Sequence, residues 1–277
     1  MRIAAILTCF NRKVKTLKCL GSLLSMHPEI DVFLTDDGST DGTSEAVNGH
    51  FPKVNVIRGN GNLYWSRGMY KAWKEALKGN YDFYLWLNDD VELYPDFLSE
   101  LMECHALAHE QSIISGIIED CTSKEIIYGG YDDNKALLLP NGDIQKIKYM
   151  NGNVVLVPSD VVDIIGIIDP VFHHGGADSD YGLTALENGV GVFTTRKCIA
   201  MGYKNDFCRI RKWGTGLCRR FKILYSPMGN PPNIDFHYRK KHFGVINATM
   251  FYCYLHFINL LPDFVIKTIW GNKYMDK

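Results

Sequence analysis

Two short apolar runs in this chain each end on a pair of acidic residues. Val32-Phe33-Leu34 leads into Thr35-Asp36-Asp37-Gly38-Ser39-Thr40-Asp41-Gly42-Thr43, and about fifty residues later Phe83-Tyr84-Leu85-Trp86-Leu87 ends on Asn88-Asp89-Asp90. Apolar runs without alternation suit strands buried on both faces, the condition of a parallel sheet. Ligands of open α/β sheets bind outside the carboxyl ends of such strands. Two acidic pairs delivered to one edge repel each other unless a cation, or the hydroxyls of a polar ligand, lies between them.

The surrounding pattern supports a parallel sheet. Ile3 to Leu7 reads as a strand, Lys13 to Met26 as a helix with Val14, Leu17, Leu20, Leu23 and Leu24 on one face, and Val32 to Thr35 as the next strand. Asp41 is placed to cap a helix starting near Thr43. Val54 to Ile57, a helix from Ser66 to Lys78 and Tyr81 to Leu87 continue the alternation, which calls for right-handed crossovers. Pro95 opens a helix running through Leu107. The middle then changes to short strands at 113–118, 126–128, 137–139 and 153–157 between Gly, Asn and Asp turns. Ser159 is read as the cap of a helix through Ile165, and Asp178 to Asn188 as a helix stopped by Gly189.

A chain of 277 residues has room for a sizeable core. Its formal net charge of −1 conceals an asymmetry: from Lys197 onward fourteen Lys and Arg face four Asp and Glu, a balance of +10, against −11 for the rest. A basic tail suits an anionic surface or a solvated face, and nothing points to a nucleic-acid partner. The eight cysteines, Cys208 among them, show no C-x-x-C pair and no zinc spacing. The opening segment has too short an apolar core for a signal peptide. Free thiols then suggest a cytoplasmic location. The apolar stretch from Val245 to Leu261 falls short of the ~20 residues a spanning helix needs. Followed by Lys267, Trp270 and Lys273, it reads as a helix lying in a headgroup plane or as one packed on the protein.

Taken in order, the segments Ile6-Leu7-Thr8-Cys9-Phe10-Asn11-Arg12, 35–43, 87–90, Asn151-Gly152-Asn153 through Pro158, 166–170 and Gly176-Ala177-Asp178-Ser179-Asp180-Tyr181-Gly182 resemble the successive motifs of the inverting family 2 glycosyltransferases. That resemblance covers about residues 1–200. It implies the α/β fold called GT-A, a mostly parallel central sheet flanked by helices. The catalytic domain would span 1–203, with a nucleotide-binding half over about 1–110 and an acceptor half over about 111–203. A helical, basic and amphipathic extension would follow over 204–277.

The resemblance implies a UDP- or dTDP-sugar donor, a glycan or lipid-linked saccharide acceptor, and Mn²⁺ or Mg²⁺. It places Thr8, Phe10, Asn11 and Arg12 in the nucleotide loop, with Phe10 against the pyrimidine. Asp37 is read as the acceptor of the pyrimidine imide N–H, because an ionised carboxylate accepts only. Asp89 is given the ribose hydroxyls and Asp90 the metal, since hard cations take carboxylate and phosphate oxygens. Asn88 departs from a strict D-x-D. Asp178 or Asp180 is the general base that takes the acceptor proton, and Ala177 stands where the family carries an acid. Arg67 is a candidate phosphate ligand, Trp65 and Asn153 candidate sugar or acceptor contacts, and His174 part of the acceptor cleft. His242, in Arg239-Lys240-Lys241-His242-Phe243-Gly244, is a candidate metal ligand. A nicotinamide oxidoreductase is excluded by the lack of G-x-G-x-x-G after the first strand. A non-catalytic module of the same fold is the remaining alternative, against which Asp90 and Asp178 both speak.

Overall fold

The computed structural model describes residues 1–108, 111–204 and 210–271; Cys208, Lys273 and the side chain of Trp270 lie outside the described residues. The chain divides into two compact units, one of Met1–Pro170 with Ala177–Lys204, the other of Val171–Gly176 with Asn205–Lys277.

The first unit runs β1 (Ile3–Cys9), α1 (Lys13–Met26), β2 (Asp31–Asp36), α2 (Thr43–His50), β3 (Asn55–Arg58), α3 (Tyr64–Ala76), β4 (Phe83–Leu87), β5 (Glu92–Leu93) and α4 (Phe97–Ala108). It continues through β6 (Ser112–Asp120), β7 (Ile126–Tyr128), β8 (Gly130–Tyr131), β9 (Tyr149–Met150), β10 (Val154–Pro158), α5 (Ser159–Ile165), α6 (Ala177–Glu187) and β11 (Gly191–Gly202). The main sheet has the order β3-β2-β1-β4-β10-β6-β11-β5, with β7 on β6, and β8 pairs β9 separately. β3, β2, β1 and β4 are all parallel, and β10 enters antiparallel between β4 and β6. Successive strand side chains face opposite sides. Ile3, Ala5, Leu7 and Cys9 of β1 accordingly join Leu20 and Leu23 of α1 and Phe97 and Leu101 of α4 in one core. On the other side Trp73 of α3, Tyr84 and Trp86 of β4 and Tyr181 of α6 pack with ring centroids 5.2–5.6 Å apart.

Several local expectations shift. α3 begins at Tyr64, two residues early, because Asp37 takes the N–H groups of Leu63 and Tyr64 at 2.8 and 2.9 Å and caps it from another element. Asp41 holds the Thr43 N–H at 3.1 Å, and its second oxygen takes the Lys13 N–H at 3.0 Å, joining the starts of α1 and α2. Ser159 is the first helical residue of α5 and not its cap; Pro158 precedes the helix in extended conformation. The strand expected at 137–139 is a single bridge, Leu137 to Tyr131. There the Asp132 carboxylate accepts from the N–H groups of Asn134 and Ala136 at 2.9 and 2.8 Å, closing a turn where a strand would need extended chain.

The twelve-residue β11 was not anticipated. Its register slips between Thr194 and Cys198, and the slip releases Arg196 to bond Glu100 of α4 and Lys197 to bond Asp96, the residue just before α4.

The second unit contains α7 (Leu217–Leu224), α8 (Pro232–Leu260) and α9 (Asp263–Trp270), with α8 broken at Gly244, where φ is 84°. Arg211 and Arg220 are buried at the end of α8. Arg211 donates to the carbonyls of Ile258 and Leu261, Arg220 to that of Leu261 at 2.8 Å, and both reach Asp263. These bonds satisfy the last carbonyls of the helix.

Candidate active site

β1, β2 and β4 deliver their carboxyl ends to one edge, and the Cys9 carbonyl accepts the Asp37 N–H across it at 2.9 Å. Phe10 stands exposed just beyond β1. Asn11 adopts φ 50°, a left-handed conformation that Asn tolerates. Its N–H bonds Ser39 Oγ and its Oδ1 accepts from the Thr40 N–H, both at 2.8 Å, so the two loops are stitched together. Thr8 is buried with its hydroxyl on the Thr35 carbonyl at 3.1 Å, and Gly68 of α3 packs so closely that a Cβ there would meet Thr8 Oγ1.

Both carboxylates of the first acidic pair are engaged. Asp36 accepts from the Ser39 N–H at 2.8 Å and from the Ser44 hydroxyl. Asp37, besides capping α3, accepts from the Gly61 N–H at 2.9 Å. The residue read as a base acceptor therefore also shapes the turn at 59–64.

The second pair meets cations of this chain. Arg12 Nη1 bridges Asp89 Oδ1 at 2.9 Å and Asp90 Oδ2 at 3.0 Å, and Lys15 Nζ lies 3.7 Å from the same Asp90 oxygen. Thr16 donates to the other Asp89 oxygen at 3.1 Å. Burial pushes the Asp89 carboxyl up, Arg12 pulls it down and Asp90 pushes it up again, leaving it at about 6. Lys15 and Thr16 were missed in the sequence, although residues three and four beyond Arg12 share its helical face.

Two buried carboxylates converging on one positive group are a donor set for a hard cation, and the guanidinium marks the place such an ion would take. Among the described residues no three His, Cys, Asp or Glu side chains gather closely enough to hold a metal by themselves. Asp89 and Asp90 thus offer the oxygen ligands that Mn²⁺ or Mg²⁺ takes, as a pair that would leave the rest of the shell to oxygens from outside the chain.

Both ends of the Asn88 amide are engaged by other residues. An indole N–H can only donate, and Trp65 Nε1 donates to Asn88 Oδ1 at 2.7 Å; the amide NH₂ of Asn88 then faces Asn153 Oδ1 at 2.6 Å. The Asn88 N–H bonds the Asn153 carbonyl at 2.9 Å. Trp65 lies edge-on to Trp86, centroids 6.1 Å apart.

Asp178 sits in the first turn of α6, half-buried. Its carboxylate accepts from the Ser179 N–H at 2.9 Å and the Gly152 N–H at 3.2 Å. Burial raises its pKa, and these two N–H groups oppose the rise. A Cβ on Gly152 would lie 2.5 Å from the Trp65 ring and 3.2 Å from Asp178 Cβ, so only glycine lets the three meet. Asp180 is 3% exposed. Arg67 donates from Nε to the Pro170 carbonyl at 2.9 Å. His174 and His242 belong to the second unit, where His242 packs on Tyr238 with ring centroids 5.2 Å apart.

A mixed sheet flanked by helices, whose parallel strands release two acidic pairs at one edge, has the GT-A architecture. The chain belongs to glycosyl transferase family 2, whose profile matches residues 4–154. No curated protein sequence matches it.

Among solved structures it resembles TarS of S. aureus (16% identity, TM-score 0.57, covering 73% of this chain and 37% of that one). It also resembles the mannosyltransferase PcManGT of Pyrobaculum calidifontis in complex with GDP-Man and Mn²⁺ (13%, 0.56, 90% and 73%). GalNAc-T7 with UDP, GalNAc and Mn²⁺ is a third (11%, 0.58, 98% and 57%). The chain thus spans little more than a third of TarS. At these identities the likeness shows the fold.

Proposed function

We propose that this chain is an inverting glycosyltransferase moving a sugar from a UDP- or dTDP-sugar to a hydroxyl of a glycan or lipid-linked saccharide. The observation that carries the reading is Asp178: a carboxylate oriented by two backbone N–H groups, raised in pKa by burial, and set beside the Trp65 ring. Asp178 takes the acceptor's hydroxyl proton as that oxygen bonds the anomeric carbon from the face opposite the leaving group, which inverts the centre. The bond from the anomeric carbon to the diphosphate breaks, and its electron pair leaves on the nucleoside diphosphate. When bound by Asp90 and Asp89, Mn²⁺ or Mg²⁺ supplies positive charge to that leaving group. Trp65, locked by Asn88, offers its face to a sugar. Asp180 is too enclosed to serve as well as Asp178.

The two neighbours whose structures contain Mn²⁺ also hold GDP-Man, or UDP and GalNAc, which supports a metal-held nucleotide sugar here. The basic, apolar-faced second unit supports peripheral attachment to the inner face of the cytoplasmic membrane, where a lipid-linked acceptor would be met.

A thermal-shift panel of nucleotide sugars with and without Mn²⁺ tests the reading. One UDP- or dTDP-sugar should raise the midpoint, and more so with the metal. A panel in which none does so, in an enzyme that unfolds cooperatively, would remove it.

A further inference from the structure

The cation beside Asp89 and Asp90 is tethered. Arg12 directly precedes α1, and its carbonyl is fixed by the Thr16 N–H at 2.9 Å and the Thr16 hydroxyl at 3.0 Å, while its side chain is 41% exposed. The carboxylates it bridges are only 5% and 7% exposed. A fixed backbone with a long, half-solvated side chain lets the guanidinium leave without refolding the loop. A divalent ion bound at about 2.0–2.1 Å from the same oxygens cannot coexist with a guanidinium already on them.

We infer that Arg12 determines what the site takes up, refusing a bare divalent cation and admitting a metal–nucleoside diphosphate complex. This rests on the reading of the site as one for a nucleotide diphosphosugar. A bare ion must break both Arg12 contacts and turn Lys15 from Asp90, and it offers the displaced cations no partner. A metal–diphosphate complex brings phosphate oxygens, which a guanidinium binds through paired N–H groups and an ammonium as a point charge. Arg12 and Lys15 then pass from aspartate to phosphate with their charges still paired. Metal and nucleotide therefore bind with positive coupling, each raising the affinity of the other by the same factor.

The test is Mn²⁺ titration calorimetry on the full chain, wild type and Arg12→Gln, first alone and then with UDP or dTDP. Without nucleotide, Arg12→Gln should bind Mn²⁺ on the order of tenfold more tightly, because a competing charge on a partly solvated pair has been removed. The nucleoside diphosphate should raise Mn²⁺ affinity by a larger factor in the wild type than in the variant. Lys15→Gln should move the bare-ion affinity in the same direction by a smaller factor, and it carries the test if Arg12→Gln does not fold. Equal or weaker Mn²⁺ binding by the folded variants would overturn the inference, as would Mn²⁺ affinity of the wild type that ignores the nucleotide. A wild type that binds no nucleoside diphosphate instead removes the transferase reading; the titrations with Mn²⁺ alone still decide whether Arg12 excludes the bare ion.

Discussion

At the scale of single residues, Asp178 faces two possible duties, capping α6 and taking a proton, and they are separable. Asn and Asp cap helices about equally well, so Asp178→Asn should keep the fold and the donor affinity. Loss of the basic carboxylate should cut turnover on the order of 10²–10⁴-fold in steady-state assays. Because burial raises the pKa of Asp178, the base is lost to protonation sooner on acidification than an ordinary carboxylate near ~4 would be. The acid limb of the wild-type kcat/KM profile should therefore lie above that value, and Asp178→Asn should flatten it.

Asn88 invites the opposite substitution. Asn88→Asp restores a D-x-D pattern, yet a carboxylate cannot donate to Asn153 Oδ1 only 2.6 Å away. The change should cost about 1–3 kcal/mol in denaturant unfolding without tightening Mn²⁺ binding. Tighter Mn²⁺ binding would make position 88 a metal ligand.

At the scale of elements, two ionic junctions hold strands and helices in place. Glu100 of α4 accepts from the Arg196 backbone N–H and from its Nε and Nη2 at 2.9, 3.1 and 2.7 Å. Burial would raise the Glu100 pKa, but Arg196 and the Cys104 thiol outweigh it and hold it at about 2, against an ordinary 4.5. A depressed carboxylate pKa stabilises the fold fully above the unfolded value, and that contribution is lost as pH falls from about 4.5 toward 2. Glu100→Gln should lower the melting temperature near neutrality and narrow its gap from wild type across that window.

Asp263 is the only carboxylate that the structure gives to Arg211 and Arg220 among the described residues. Asp263→Ala leaves two guanidinium groups at the α8–α9 elbow without it and should destabilise the second unit by about 3–5 kcal/mol. Limited proteolysis would detect this as earlier cleavage after residue 204, with the first unit intact.

At the scale of the whole molecule, the +10 balance from Lys197 onward coincides with exposed apolar residues on the second unit: Ile246 and Met250 of α8 and Phe264 of α9 are 75%, 69% and 72% exposed. No single helix among the described residues is long and apolar enough to cross a membrane, although α8 and α9, bent by 118°, pass that test as a pair. An interfacial helix predicts flotation with anionic liposomes at low salt and release as salt rises, since the electrostatic part is screened. Protein that stays at the bottom of the gradient at low salt would leave only packing on another protein surface.

The parallel half of the sheet was legible because β1, β2 and β4 are uninterrupted apolar runs whose burial depends on local pattern alone. The acidic pairs were legible because they end those runs. β11 was not: Arg196 and Lys197 interrupt its apolar pattern, and a register slip with Glu100 and Asp96 across from it decides that it is a strand. Nor could spacing show that Asp37 caps a helix 27 residues away, or that the Asp178 carboxylate meets the Gly152 N–H. Asp37, Asp89, Asp90 and Asp178 could be picked out as candidates from sequence, since each motif is local. Which group pairs with each carboxylate, and so the partners of Asn88 and Arg12, was decided by the tertiary structure, because hydrogen bonds and ion pairs join residues that only folding brings within bonding distance.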